Sequence, residues 1–208
     1  MSTNPHGLLT ERNLRPLLVA LWVTISVMAL EIVVGLLSHS LALLADAGHM
    51  ATDAAALGMS LAAIWMTRQP ATRTKTYGFY RTEILAAFLN GLTLWLMVAW
   101  IVYEAVQRFL HPPVVRAPMM LATAVIGLMA NLGCCWVLRS SQSQSLNQRS
   151  AYLHVLADAV GSVSVIAAAA GIWVTGWHLA DPVASLLVCA VILWGSWNLI
   201  VQSVNVLL

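Results

Sequence analysis

ADAGHMATDAA (residues 45–55) sets two aspartates and a histidine inside a run of otherwise apolar residues. Farther along, YLHVLADAV (152–160) repeats the oddity: a histidine, and four residues on an aspartate. In a helix, residues four apart differ by about 40° in azimuth and one turn in height. His49 and Asp53 therefore point the same way, as do His154 and Asp158. What such a pair means depends on whether the surrounding helices lie in water or in lipid.

Composition answers that. Of 208 residues, 60% are hydrophobic and 9% charged, against roughly 25% charged in soluble domains, and the mean hydropathy is +0.82. This is the composition of a membrane protein. The first fourteen residues, MSTNPHGLLTERNL, are polar, and the apolar run after them is long enough to span a bilayer, so no cleavable signal is expected. Cys134, Cys135 and Cys189 all fall in apolar segments and read as small packing residues rather than a disulfide framework.

Windows of about 20 apolar residues predict six spans, near 16–37, 41–66, 82–107, 117–138, 151–176 and 182–206, after a tail over 1–15. The fold class is an all-α integral membrane bundle of six transmembrane helices. Turn chemistry separates them: Ser38-His39-Ser40, TRQPATRTKTYG (67–78), His111-Pro112-Pro113, SSQSQSLNQRS (140–150) and Gly176-Trp177-His178. Asp181 reads as the N-cap of the sixth span, with Pro182 at its first helical position. Basic residues favour the cytoplasmic side. Arg12, Arg15, Arg68, Arg73, Lys75, Arg81, Arg139 and Arg149 fall on one side and Arg108 and Arg116 on the other, which places both termini in the cytoplasm. The sequence ends at SVNVLL, the end of the sixth apolar run, and no soluble C-terminal domain is expected within it.

An aspartate at the centre of a membrane helix is unfavourable by roughly 2.5–3.5 kcal/mol, so the two pairs need partners or a watery cavity. Were the second and fifth spans adjacent, His49, Asp53, His154 and Asp158 would supply two imidazole nitrogens and two carboxylate oxygens, a tetrahedral set suited to zinc. A lone intramembrane histidine is more often a hydrogen-bond donor between helices; two identical HxxxD pairs on separate spans favour a metal. Asp46, one turn before His49, reads as an acceptor behind the ligands or a group lining an outward pathway, with an interfacial cap as the alternative. Glu31, Asn90 and Asn131 read as bonds between helices, and Glu83 beside Arg81 as an interfacial ion pair. Trp65, Trp177 and Trp197 suit interfacial anchoring.

SLALLADAGHMATD (40–53), YGFYRTEILAAFLNG (77–91), AYLHVLADAVGSV (151–163) and DPVASLLVCAVILW (181–194) together resemble the transmembrane domain of the cation diffusion facilitator family. The likeness covers essentially all six spans and is most specific in the HxxxD pairs. The resemblance implies a proton-coupled antiporter and homodimer exporting a divalent cation from the cytoplasm. On that reading His49, Asp53, His154 and Asp158 are the transport-site ligands and Zn2+ is the transported substrate, with Co2+ and Cd2+ accepting similar ligands. It implies a multi-pass protein of the bacterial inner membrane, without an enzyme's catalytic residues and without a nucleic-acid partner. Many members carry a histidine-rich loop between the fourth and fifth helices; SSQSQSLNQRS has none.

The fifth span, if it began at Ala151, would set His154–Asp158 closer to the cytoplasmic face than His49–Asp53. The pairs share a depth if that helix begins within 144–150. Metal binding needs neutral imidazoles and ionised carboxylates, so an arriving cation displaces protons, and histidine titrates near physiological pH. Two other classes compete. A bis-histidine haem protein for electron transfer has no use for an aspartate one turn from each histidine. A passive cation channel would conduct without proton exchange. Neither HExxH nor GxSxG occurs, so an intramembrane protease lacks its usual frame.

Overall fold

The computed structural model describes residues 14–67, 78–139 and 146–207, with side chains described over part of that range. Six helices make up the described chain: α1 (Leu14–Ser38), α2 (Leu41–Thr67), α3 (Gly78–Leu110), α4 (Ala117–Arg139), α5 (Leu146–Thr175) and α6 (Ala180–Leu207). Leu18–Ser38, Leu89–Leu110 and Ala117–Trp136 are each long and apolar enough to cross a membrane. Gly161–Thr175 and Ala180–Leu193 are shorter apolar stretches within the described residues of α5 and α6. Large side chains such as Trp22, Leu96, Trp136 and Trp173 face outward, as they must where the surroundings are lipid rather than water. The protein is a multi-pass membrane bundle.

α2 packs against α1, α3, α5 and α6; α4 joins α1 to α5, and α3 pairs with α6. That central place of α2 matters, because it carries ADAGHMATDAA. Two apolar clusters flank it. Ala42 and Leu43 pack with Val165, Ala168, Ala169 and Ile172 of α5 and with Met120 of α4. Leu41 and Ala45 pack with Leu94, Val98 and Ile101 of α3 and with Val188 and Ile192 of α6. The small residues Ala42, Ala45, Ala168 and Ala169 bring the backbones close, the usual device where lipid supplies no hydrophobic drive between helices.

The short connections α1–α2, α3–α4 and α5–α6 gather at one end, here termed the capped end. α1 finishes in a Schellman motif: Ser40 N donates to Gly35 O at 3.0 Å and His39 N to Leu36 O at 3.4 Å. The left-handed position of that motif is held by His39, at φ 57°, where glycine is usual. α5 ends on the simpler left-handed cap, Gly176 at φ 70° with its N–H bonded to Ile172 O at 2.8 Å.

α2 starts on a cap assembled from two places in the chain. Ser40 Oγ accepts from Leu43 N at 3.2 Å, the ordinary N-cap bond. The two preceding N–H groups are satisfied from α6: Leu41 N donates to Asp181 Oδ2 at 2.7 Å and Ala42 N to Asp181 Oδ1 at 3.2 Å. Ser40 Oγ also donates to Asp181 Oδ1 at 2.6 Å. Arg108 of α3 closes the group, donating to Asp181 Oδ2 at 3.3 Å, to Glu104 Oε1 at 3.2 Å and to the His39 carbonyl. This corrects the reading of Asp181 as the cap of its own helix. α6 already begins at Ala180, so Asp181 and Pro182 lie inside its first turn, and the carboxylate turns toward the unsatisfied amides of a neighbouring helix instead. His178 is also engaged, its Nδ1 accepting from Val115 N at 3.3 Å.

α5 begins at Leu146, within the polar connector. That early start puts Asp158 at the depth of His49. The N-terminal tail, the Arg81–Glu83 pair, Trp65 and Trp197, and the basic side chains on the side opposite the capped end lie outside the described side chains.

Candidate functional site

His49 lies two turns into α2 and Asp158 in the first half of α5. Across the α2–α5 contact, His49 Nε2 stands 3.4 Å from Asp158 Oδ1, the side chains being 19% and 7% exposed. Two of the four predicted ligand positions, one from each helix, are thus brought together. Asp53 lies one turn beyond His49 in α2 and His154 one turn before Asp158 in α5; the side chains of both lie outside the described residues. Among the described residues, no three His, Cys, Asp or Glu side chains are gathered so as to hold a metal.

The separation carries chemical information. An N–H···O hydrogen bond has its mode near 2.9–3.0 Å, so 3.4 Å is long for a direct bond. Two donors on one tetrahedral zinc, with bonds of about 2.1 Å, stand about 3.4 Å apart. Imidazole and carboxylate are therefore close enough to reach one ion together, although hydrogen bonds of the same length occur in the bundle, as from Asn90 to Thr52.

Neighbouring residues hold His49 in place. Thr52 Oγ1 donates to the His49 carbonyl at 2.7 Å, and Asn90 Nδ2 of α3 donates to Thr52 O at 3.4 Å. Asn90 is thus a bond between helices, as its sequence position suggested. Gly48 gives α3 its close approach, because a Cβ there would collide with the Met97 side chain. On α5, Ser162 Oγ donates to the Asp158 carbonyl at 3.1 Å. Asp46, 3% exposed, is enclosed within the bundle rather than placed at an interface. Its Oδ1 lies 3.5 Å from the point a Cβ on Gly161 would occupy, one turn from the His49–Asp158 pair toward the capped end.

Sequence reading missed two features around this site, the close approach at Gly48 and the surroundings of Glu31. Gly48 marks a close approach between helices that an isolated glycine in a helical pattern could have signalled, whereas Gly161, one of the small residues of the fifth span, reads from the sequence as a close-packing position. Glu31, read as a bond between helices, is 1% exposed, and among the described residues its Oε2 has no hydrogen-bond partner. That too is a correction: the opposing residue on α4 is Gly127, which has no side chain with which to donate.

Residues 17–208 match the family model of the cation efflux transmembrane domain. The chain belongs to the cation efflux family. The match takes in every described helix except the first residues of α1, and this family is the cation diffusion facilitator group that the HxxxD pairs resemble. Among relatives of this cation efflux protein, zinc transporter ZitB of Escherichia coli is 48% identical over 95% of the chain. The metal cation efflux system protein CzcD of Cupriavidus metallidurans is 44% identical over 94%. The cadmium, cobalt and zinc/H(+)-K(+) antiporter of Bacillus subtilis is 41% identical over 94%. The chain spans 64%, 62% and 64% of the lengths of these three relatives, respectively.

Proposed function

We propose that this chain forms the membrane pathway of a secondary transporter that exports a divalent cation, Zn2+ first among them, in exchange for protons. The observation that carries the reading is the approach of His49 to Asp158 across α2 and α5, at the spacing of two zinc ligands. Asp53 and His154, one helical turn from each, complete a two-nitrogen, two-oxygen set. The relatives named as zinc, cadmium and cobalt transporters support a soft-to-borderline divalent cargo, and cobalt and cadmium are the next candidates after zinc.

Exchange follows from the donor set. Zinc takes neutral imidazole and ionised carboxylate, so protons held by those groups must leave as the ion enters. The same protons, arriving from the opposite side, compete the ion off. A relative whose printed name couples these metals to H(+) supports the coupling. The capped end faces outward and both termini face the cytoplasm, in keeping with the excess of basic residues at the opposite end. The membrane is the bacterial inner membrane, as the bacterial relatives suggest, and the working unit is a homodimer. Alternation of access needs α2 and α5 to move relative to the rest.

The test is zinc-gradient-driven proton flux in proteoliposomes, followed with an entrapped pH dye. The intact chain moves protons against zinc, and Asp158→Ala, lacking one ligand, loses at least about 100-fold in zinc affinity, more than outer-shell partners typically cost. Flux at the full rate in Asp158→Ala contradicts the site. Zinc passage without proton movement contradicts the antiport and leaves a passive channel.

A further inference from the structure

Glu31 lies outside the proposed ligand set, yet it is among the most deeply enclosed acids of the bundle. It is 1% exposed, in the middle of the apolar run of α1. Among the described residues its Oε2 accepts no hydrogen bond and no ion pair is formed with it. Its Oε1 points at the α4 backbone, 2.9 Å from where a Cβ on Gly127 would stand, and Ser162 Oγ of α5 lies 4.0 Å from that same point. Ser162 is the residue bonded to the Asp158 carbonyl. Glu31 therefore sits where α1, α4 and α5 meet, beside the proposed transport site, while no described bond joins it to His49 or Asp158.

Among the described side chains, the charges near Glu31 are few. From α2 comes Asp46, whose Oδ1 faces Gly161 of α5, and from α5 Asp158, with His49 beside it. From α4 there is none among the described side chains, 117–136. An ionised carboxylate there would have two other acids as neighbours and neither donor nor cation to offset its lost hydration, a cost of several kcal/mol for a buried ion. The cost is removed if the carboxyl carries a proton. A dication arriving beside Asp158 reverses the balance by supplying positive charge.

We infer that Glu31 is a proton-binding site outside the ligand quartet, protonated while the quartet is empty of cargo and released of its proton when a divalent cation binds. The step is a heterolysis: the O–H bond breaks, its electron pair stays on the carboxylate and the proton passes to water, with no change of oxidation state. The inference rests on the antiport reading and adds one proton to the exchange that the ligands do not carry.

Zinc is added to the metal-free, detergent-solubilised full chain in weakly buffered solution with a pH indicator, while calorimetry records zinc bound. Glu31→Gln keeps the shape of the side chain and cannot release a proton. It is expected to bind zinc still and to release about one proton fewer per zinc than the unsubstituted chain. Equal release from the two proteins overturns the assignment of Glu31 and leaves antiport standing. Zinc binding without any proton release in the unsubstituted chain overturns antiport, and Glu31 with it. Infrared difference spectra give a second reading that needs no variant. Zinc should abolish a protonated-carboxyl C=O band of the unsubstituted protein, and the lack of any such loss overturns the assignment whether or not Glu31→Gln folds.

Discussion

Asp181 and Glu31 are both enclosed carboxyls on helices of the same bundle, at 0% and 1% exposure, and they are treated in opposite ways. Asp181 accepts from Ser40 Oγ, Leu41 N, Ala42 N and Arg108. The charge is countered by a guanidinium and a helix N-terminus together. Glu31 faces a glycine, and among the described residues its Oε2 has no donor. A carboxylate so fully bonded has nothing to exchange, and it serves as a fastener for α2, α3 and α6. A carboxyl left open beside the proposed metal site is free to take and give a proton. In a membrane the same functional group is thus either structural or mobile in its protonation, and the number of donors around it decides which.

The contrast is broken most severely at the capped end. Asp181→Ala leaves the first amides of α2 without their acceptor and takes from Arg108 one of its two carboxylates, Glu104 remaining, and removing one partner of a buried pair costs about 3–5 kcal/mol. Denaturant unfolding in detergent, followed by circular dichroism, should show that loss; a change under about 1 kcal/mol would mean that water replaces the carboxylate at no great cost.

Crowding the open carboxyl has a smaller effect. Gly127→Ala places a methyl group 2.9 Å from Glu31 Oε1, and the carboxyl end is able to swing aside. The expected loss is about 1 kcal/mol, the lower end for overpacking, measured in the same way. A loss near that of Asp181→Ala would mean that Glu31 is as rigidly held as its counterpart.

The smallest effect has the opposite sign. His39 holds a left-handed position at φ 57°, where an L-residue with a Cβ is disfavoured by roughly 1–2 kcal/mol. His39→Gly keeps the carbonyl that Arg108 binds and should stabilise the capped end by up to about 1 kcal/mol, since glycine's greater freedom in the unfolded chain offsets part of the gain. Destabilisation would show that the imidazole itself contributes to the knot.

The six helices were legible because each apolar run is long and bounded by turn residues, and the HxxxD pairs were legible because one-turn spacing shows in the sequence without any neighbour. The early start of α5 at Leu146 was legible from a constraint between helices, namely that His154–Asp158 has to reach the depth of His49–Asp53. The knot at Asp181 was not. Its partners lie more than a hundred residues away in α1–α2 and seventy in α3, and local capping rules point instead to α6. Asking which group satisfies the first amides of α2 would have raised the question, although only packing names the residue. Glu31 was visible as an acid in an apolar run, but its lack of a donor is set by Gly127 on another helix and has no local signature.

The account depends on one zinc ion being held by side chains of α2 and α5 together. X-ray absorption at the zinc edge of the loaded protein tests this most directly, when the intact chain is compared with His49→Ala and with His154→Ala. The account predicts four nitrogen or oxygen neighbours at about 2.0–2.2 Å, with the imidazole signature reduced in each variant that still takes up metal. Sulfur neighbours at about 2.3 Å, or an imidazole signature that neither substitution alters, would contradict it.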